Sequence, residues 1–316
     1  MTLRTRIAPT PSGFLHAGNG ISFILTYAIA RAFDGTILLR IDDLDAERMR
    51  PEYVEDIFRT LDWLGLEYNE GPTSPDDFFQ NFSQHKRLDI YYNLIGKLQI
   101  TDLLYECHCS RKQINLTSTN GLYPKTCRNN HLTTHDVHKK ETAWRIRVEN
   151  FTTICFNEWR KEKATIQLDT TMGDFIIRQK NGLPSYQIAS LADDELFNIN
   201  FIVRGNDLLN STAAQVFLAE QIGHSQFSKN TFYHHPLLKN TPSQRDAFGR
   251  RINEGIKLSK SAGATALKEW RAAQRSPLEL YRKAAEWLSF PIKTIENIEN
   301  INDLILFIKN TFDKPF

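Results

Sequence analysis

The stretch from residue 4 to residue 41 constrains the fold more than any other part of the chain. Residues 4–8 read as a short strand, and Pro9, Pro11 and Gly13 force a loop after it. Gly18 to Phe33 then carries Ile21, Ile24, Leu25, Ala28, Ile29 and Ala32 at helical spacing. Asp34-Gly35 stops that helix and Thr36–Ile41 reads as a second strand. Pro51 opens a further helix with Val54, Ile57, Phe58 and Leu61 on one face. Strand, helix, strand, helix is the pattern of an α/β fold with a parallel sheet and crossover helices.

The middle of the chain changes character. Residues 107–140 are polar and show no clean period, and strand-like runs follow at Ala143–Val148, Thr165–Leu168 and Phe175–Arg178. The first pattern resumes with a strand at 200–204, a helix at 211–222 and a strand at 231–235. Residues 264–316 read as helical, with Leu278, Tyr281, Ala284, Ala285 and Leu288 on one buried face. The expected organisation is a catalytic domain in two halves, 1–100 and 186–263, an inserted α+β module at 101–185, and a helical segment at 264–316. At 316 residues the chain has length for two domains and can bury about 75% of its unfolded surface.

Composition excludes several classes. No run of 18 or more apolar residues exists, and the basic N-terminal residues have no apolar region behind them, so neither a membrane span nor a signal peptide is expected. Four cysteines are too few for a secreted disulfide framework. A cytoplasmic protein is expected, with a monomer favoured. The net charge of +2 neither demands nor excludes an RNA partner.

Two loops carry the chemistry. Arg6-Ile-Ala-Pro9-Thr10-Pro11-Ser12-Gly13-Phe-Leu-His16-Ala17-Gly18-Asn19 places backbone N–H groups and a histidine at a helix N-terminus, where phosphate is favoured. Gly18 permits a flat group such as adenine to approach the backbone. About 240 residues later, Lys257-Leu-Ser259-Lys260-Ser261 follows a loop with Arg245, Arg250 and Arg251. Lysines there can reach triphosphate oxygens as charge builds on them. Read singly, the first loop is also an ordinary turn, and the second an ordinary solvated loop.

Together, in this order, the loops resemble the HIGH and KMSKS signatures of class I aminoacyl-tRNA synthetases. The glutamyl group is resembled in particular, through the stretch from Arg6 to Gly18, Arg40-Ile-Asp42-Asp43-Leu-Asp45, Pro184-Ser-Tyr186 and Ile202-Val-Arg204-Gly-Asn-Asp207-Leu208. The resemblance covers roughly residues 4–265. It implies a Rossmann-like catalytic domain with ATP on His16, Gly18, Asn19, Lys257, Ser259 and Lys260, and Mg²⁺ accompanying the ATP. His16, Lys257 and Lys260 are then the catalytic groups, and Arg6, Thr10, Asp42, Tyr186 and Arg204 bind L-glutamate. Arginine forks suit its carboxylates and an acidic residue its ammonium. The family usually has Glu where this chain has Asp42, whose reach is shorter by roughly 1.5 Å. Arg204 also has a structural reading, as an ion pair with Asp207.

Cys107, Cys109 and Cys127 lie close in sequence, as a tetrahedral structural Zn²⁺ would need, or as small buried apolar residues would allow. His108 is expected to point away, His131 and His135 are alternative ligands on spacing, and Cys155 reads as a core residue. The spacing C-x-C…Y-x3-C resembles the truncated glutamyl-queuosine-tRNA(Asp) synthetase family, which implies Tyr123 as the fourth ligand. The 55 residues after Ser261 leave room for a few helices but not for anticodon-binding domains. The resemblance therefore implies glutamyl-adenylate formation without tRNA, then transfer to queuosine in the anticodon stem-loop of tRNA(Asp). The alternatives are a truncated glutamate–tRNA ligase charging a tRNA 3′ end, a non-catalytic tRNA-binding paralogue, and a small-molecule adenylyltransferase. The intact His16, Gly18, Lys257 and Lys260 speak against the second of these, and Arg204 with the distant lysine loop against the third.

Overall fold

The computed structural model describes residues 2–45, 47–118, 121–138, 140–224, 226–238 and 266–316. Along the chain the elements run β1 (Arg4–Ile7), α1 (Ala17–Ala32), β2 (Thr36–Leu39), α2 (Pro51–Trp63), α3 (Pro75–Asp77), α4 (Leu88–Gln99), β3 (Leu104–Cys107) and α5 (Arg111–Thr117). They continue with β4 (Ala143–Ile146), β5 (Thr153–Glu158), β6 (Ala164–Gln167), α6 (Leu168–Thr171), β7 (Phe175–Arg178), α7 (Tyr186–Leu196), β8 (Phe201–Gly205) and α8 (Leu209–Gln221). The last are β9 (Thr231–His235), α9 (Leu267–Ala272), α10 (Leu278–Trp287), α11 (Ile292–Glu296) and α12 (Ile301–Thr311).

The chain forms two compact units. The first comprises Met1–Ser83, Phe201–Asn206 and Tyr233–Phe316, and the second Gln84–Asn200 and Asp207–Phe232. In the first, β1 and β2 pair in parallel from Arg4↔Thr36 to Ile7↔Leu39, with α1 as the crossover. Asp34 turns the chain out of α1 with φ of 53°, a left-handed conformation that Asp tolerates better than most residues. α1 packs against β1, β2 and β8 and also against α10 and α12. It is therefore buried on nearly all sides, with Ala17, Ile21, Ile24, Leu25, Ala28 and Ile29 fully enclosed. Gly20 allows the close approach of its neighbours: a Cβ there would lie 3.0 Å from Leu267 Cδ1.

In the second unit, β3, β4 and β7 form an antiparallel sheet in that order. β5 pairs antiparallel with β6, and its Asn157 and Glu158 pair in parallel with Thr231 and Phe232 of β9. α7 packs between α4 and α8. The fully buried Asp193 on α7 accepts hydrogen bonds from Gln84 Nε2 (2.9 Å), Arg87 Nε (2.7 Å) and Nη2 (2.9 Å), and Tyr91 Oη (2.8 Å). A bidentate arginine and two neutral donors satisfy the carboxylate, the condition under which a buried charge is tolerated.

The strands and helices expected around the first loop, at 231–235 and at Phe175–Arg178 are present. β3 and β5 were not anticipated. β3 is buried on both faces and so shows no alternation. In β5 the alternation is there, with Ile154 and Phe156 buried and Thr153 and Cys155 exposed. That pattern also corrects the reading of Cys155 as a core residue: it faces solvent on the outer side of β5. The compact units are bounded differently from the expected segments 1–100, 101–185, 186–263 and 264–316. Arg87 and Tyr91 hold the α4 region to α7 through Asp193, while α10 and α12 complete the burial of α1. No helix among the described residues is long and apolar enough to cross a membrane.

Asp193→Ala removes the buried carboxylate that Gln84, Arg87 and Tyr91 share. The variant should lose about 3–5 kcal/mol of unfolding free energy, read as a lowered midpoint in urea with α4 released first in hydrogen exchange.

Candidate functional site

β1 ends at Ile7 and the chain crosses to α1 through Pro9, Thr10 and Pro11. Two backbone bonds, Arg40 N–H to Ile7 O (2.9 Å) and Asp42 N–H to Pro9 O (2.9 Å), carry the β1–β2 pairing past the strand ends. Asp42 is thereby placed at the carboxyl edge of a parallel sheet, the edge where ligands bind in open α/β folds. Arg6 on β1 and Arg204 on β8 are both buried at 4% exposure. Arg6 Nη1 donates to Val203 O at 3.4 Å, which holds the Arg6 side chain against the main chain of β8. Thr10 is exposed at the rim of the same edge.

Asp42 is held in a way the sequence reading did not foresee. Arg40 Nε and Nη2 donate to its two carboxylate oxygens at 2.7 and 2.9 Å, and both side chains are buried. A bidentate fork of this kind fixes the carboxylate plane. The shorter Asp thus presents a rigidly oriented carboxylate. Its neighbour Asp43, also buried, accepts from Ser83 Oγ at 2.6 Å. Tyr186, the remaining residue of the expected glutamate set, opens α7 in the second unit and is 40% exposed.

His16 is the N-cap of α1. Its Nδ1 accepts from Gly18 N–H (3.2 Å), and Asn19 Oδ1 accepts from His16 N–H (3.0 Å), a reciprocal capping box. With Nδ1 as acceptor, the neutral ring carries its proton on Nε2 and offers an N–H donor. Burial lowers the affinity of His16 for a second proton below the ordinary histidine value. The first turn of α1 contains no acidic residue, so the positive end of the helix dipole is not offset there. Gly18 acts here by making room for the cap: a Cβ would lie 3.1 Å from His16 Cε1 and 3.2 Å from Nδ1.

Lys257, Ser259 and Lys260, with Arg245, Arg250 and Arg251, lie outside the described residues. The chain on either side of them is described. His235 Nε2 meets Ser22 Oγ of α1 at 2.9 Å before the segment. After it, Ala266 bridges to His16 and Leu267 N–H donates to Leu15 O at 2.7 Å. Both flanks therefore reach the N-terminal part of α1.

The second unit brings the cysteine cluster together. Cys107 ends β3, and its sulfur lies with those of Cys109 and Cys127 within 4.8 Å of one another. Cys109 Sγ is 3.6 Å from Cys127 Sγ, and Tyr123 Oη is 3.4 Å from Cys107 Sγ and 3.8 Å from Cys109 Sγ. A tetrahedral Zn²⁺ with thiolates at about 2.3 Å and one oxygen at about 2.1 Å requires S–S separations of about 3.8 Å and S–O separations of about 3.6 Å. The donor set fits the ion in chemistry, and the Cys109–Cys127, Cys107–Tyr123 and Cys109–Tyr123 separations are close to these values. Cys127 N–H donates to Tyr123 Oη at 2.8 Å, and Arg145 lies 3.7 Å over the Tyr123 ring with Nη1 on Asp174 O. Burial raises the Tyr123 hydroxyl above the ordinary phenol value, hydrogen bonding with the Cys107 and Cys127 thiols adds to that, and the Cys127 N–H opposes it. His108 faces solvent, and neither it nor His131 nor His135 joins the cluster. Arg145 was missed by sequence reasoning; its place in β4 opposite Tyr105 of β3 is a matter of strand register, which the sequence does not display.

Residues 2–257 match the family model of tRNA synthetases class I (E and Q), catalytic domain. The chain is 35% identical over 296 residues to the glutamyl-Q tRNA(Asp) synthetase of Cupriavidus metallidurans, covering 90% of this chain and 84% of that one. It is 34% identical over 233 residues to the glutamate–tRNA ligase of Listeria monocytogenes, of which it spans 47%. The solved glutamate tRNA ligase of Elizabethkingia meningosepticum, in complex with its amino acid, superposes with a TM-score of 0.68 at 21% identity. That likeness is of fold, and it covers 99% of this chain and 66% of the ligase.

The geometry at His16 has a direct readout. In a histidine ¹⁵N titration, His16 should stay in the Nε2–H tautomer at neutral pH and protonate with a midpoint below 6.5. Because the folded state binds this proton less readily than the unfolded chain, the stability contributed by the site is present above pH 6.5 and is lost as the pH falls. A midpoint above 6.5 would contradict the cap as described.

Proposed function

We propose a function for this chain from one premise: it belongs to the glutamate- and glutamine-type class I tRNA synthetases, in the branch of the glutamyl-Q tRNA(Asp) synthetases. The reaction is activation of L-glutamate with ATP, followed by transfer of the glutamyl group to queuosine in the anticodon of tRNA(Asp). The observation that supports it is the buried Arg6 on β1 and the Arg40-held Asp42 just past β2, with His16 capping the helix that follows β1; Arg204 joins them on the family resemblance.

In the first step a glutamate α-carboxylate oxygen attacks the α-phosphorus of ATP. The bond to the bridging oxygen of the β-phosphate breaks, giving glutamyl-adenylate and pyrophosphate. Arg6 and Arg204 supply forks for the carboxylates, and Asp42 orients the amino acid at its ammonium end; the family resemblance adds Tyr186 to this set. Thr10 lies at the rim as a hydroxyl donor. His16 donates Nε2–H to a phosphate oxygen, while Gly18 N–H holds the imidazole and Asn19 the His16 main-chain N–H. Lys257, Ser259 and Lys260 act on the phosphates from the second loop, and Mg²⁺ enters with ATP. In the second step a hydroxyl of the queuosine cyclopentene ring attacks the adenylate carbonyl carbon and AMP leaves.

Cys107, Cys109, Tyr123 and Cys127 would hold a structural Zn²⁺, which would supply a cross-link in this unit and no chemistry to either step. The protein should carry one equivalent of zinc. Cys109→Ser should lose it and lower the thermal stability of the protein, read by metal analysis and calorimetry; full zinc content in that variant would remove Cys109 from the ligand set.

Glutamate-dependent ATP–pyrophosphate exchange without tRNA should be present. Lys260→Ala should reduce it about 10²–10³-fold, the usual loss for one transition-state donor, with the fold intact. Glutamate should then appear on queuosine-containing tRNA(Asp). Exchange that requires tRNA(Glu) would instead assign the chain as a charging enzyme, the reading favoured by its likeness to the Listeria ligase.

A further inference from the structure

His16 sits on a peptide that is gripped from both sides. Leu15 N–H donates to Asp56 Oδ2 at 3.2 Å, and Leu15 O accepts from Leu267 N–H at 2.7 Å. Asp56 belongs to α2 and is buried at 4% exposure. Its other oxygen is paired with Arg271 Nη2, and Arg271 Nη1 donates to Thr60 Oγ1 at 2.5 Å. Leu267 and Arg271 are one helical turn apart on α9 and so share a face. The contacts close a ring that runs from Asp56 to Leu15, to Leu267, along one turn of α9 to Arg271, and back to Asp56.

Stability alone does not account for a charged pair here. A buried ion pair is commonly matched or exceeded in stability by apolar side chains of similar volume. What an ion pair adds is direction: a carboxylate with one oxygen on a guanidinium has its other oxygen aimed. In this case the aim is the N–H of the residue before the capping histidine.

We propose that Asp56, locked by Arg271, is a positioning residue for adenylate formation, holding the Leu15 peptide so that His16 presents Nε2–H from a fixed place. This rests on the function proposed above. Neither residue touches the reacting atoms. Both act through the main chain at residues 15 and 16, and they tie α2 and α9 to the N-terminus of α1.

The test compares Asp56→Asn and Arg271→Lys with wild type in the full chain. Asp56→Asn keeps an oxygen for Leu15 N–H but loses the charge that aims it, and Arg271→Lys keeps charge but loses the fork. Leu168→Ala, at a fully buried site on α6 in the second unit, is the control for loss of stability. Two readouts are taken: the ¹⁵N signals of the His16 imidazole and the Gly18 amide, and the kinetics of glutamate-dependent exchange. Both clamp variants should shift the His16 and Gly18 signals and lower kcat about 10- to 100-fold, with KM for glutamate within about twofold. Leu168→Ala should leave both readouts as in wild type at temperatures where it is folded. His16 signals at their wild-type positions in both variants would overturn the proposal. So would a fall in kcat no larger than that of the Leu168→Ala control. If wild type shows no exchange, the proposed function fails separately, and the clamp stands or falls on the His16 and Gly18 signals.

Discussion

Burial of α1 decides where its N-terminus points, and the candidate active site is built around that point. Strands β1, β2 and β8 lie on one side of the helix and α10 and α12 on another. A helix enclosed in this way cannot roll or slide without opening cavities, which close-packed interiors resist. The loop from β1 must then arrive at a set place. α10 and α12, far away in sequence, contribute to the site by completing the enclosure.

Elsewhere the fold relies on carboxylates gripped by arginine where segments remote in sequence meet. Asp193 joins residues 84–91 to α7. Asp174 takes Tyr105 Oη, Arg128 Nη1 and Val148 N–H, and so ties β3 and the segment after β4 to the turn before β7. The Asp174 bonds reach the cysteine cluster through Tyr105, which packs with Cys107 and Tyr123. Three thiols and a phenol come together because β3, the Tyr123 loop and Cys127 are each pinned by neighbours as well as by one another.

The parts of the fold that repeat a simple period were legible in the sequence. The helical stripe of α1, the strands flanking it and the amphipathic face of α10 follow from spacing of apolar residues. β3 escaped because strands buried on both faces carry no period-two signal. At the candidate site, residue types and positions could be read, since His16, Arg6, Arg204 and the three cysteines stand in recognisable spacings. Their partners could not. That Arg40 clamps Asp42, that Arg145 covers Tyr123, and that Asp56 reaches Leu15 depend on register and on packing between distant segments. The reading of Gly18 as a place for adenine to approach left out the nearer tenant of that space, the imidazole of His16.

The use of histidine as an N-cap has an evolutionary consequence. Caps are ordinarily Ser, Thr, Asp or Asn, and a chain can exchange one for another at little cost. Here the capping atom is Nδ1 and the outward donor is Nε2 of the same ring. Ser, Thr and Asp carry no N–H beside the capping oxygen, and in Asn the N–H sits on Nδ2, one atom nearer the main chain than Nε2 of histidine. Selection for a well-formed helix start and selection for a phosphate-facing donor therefore fall on one side chain, and drift at this position is closed from two directions at once.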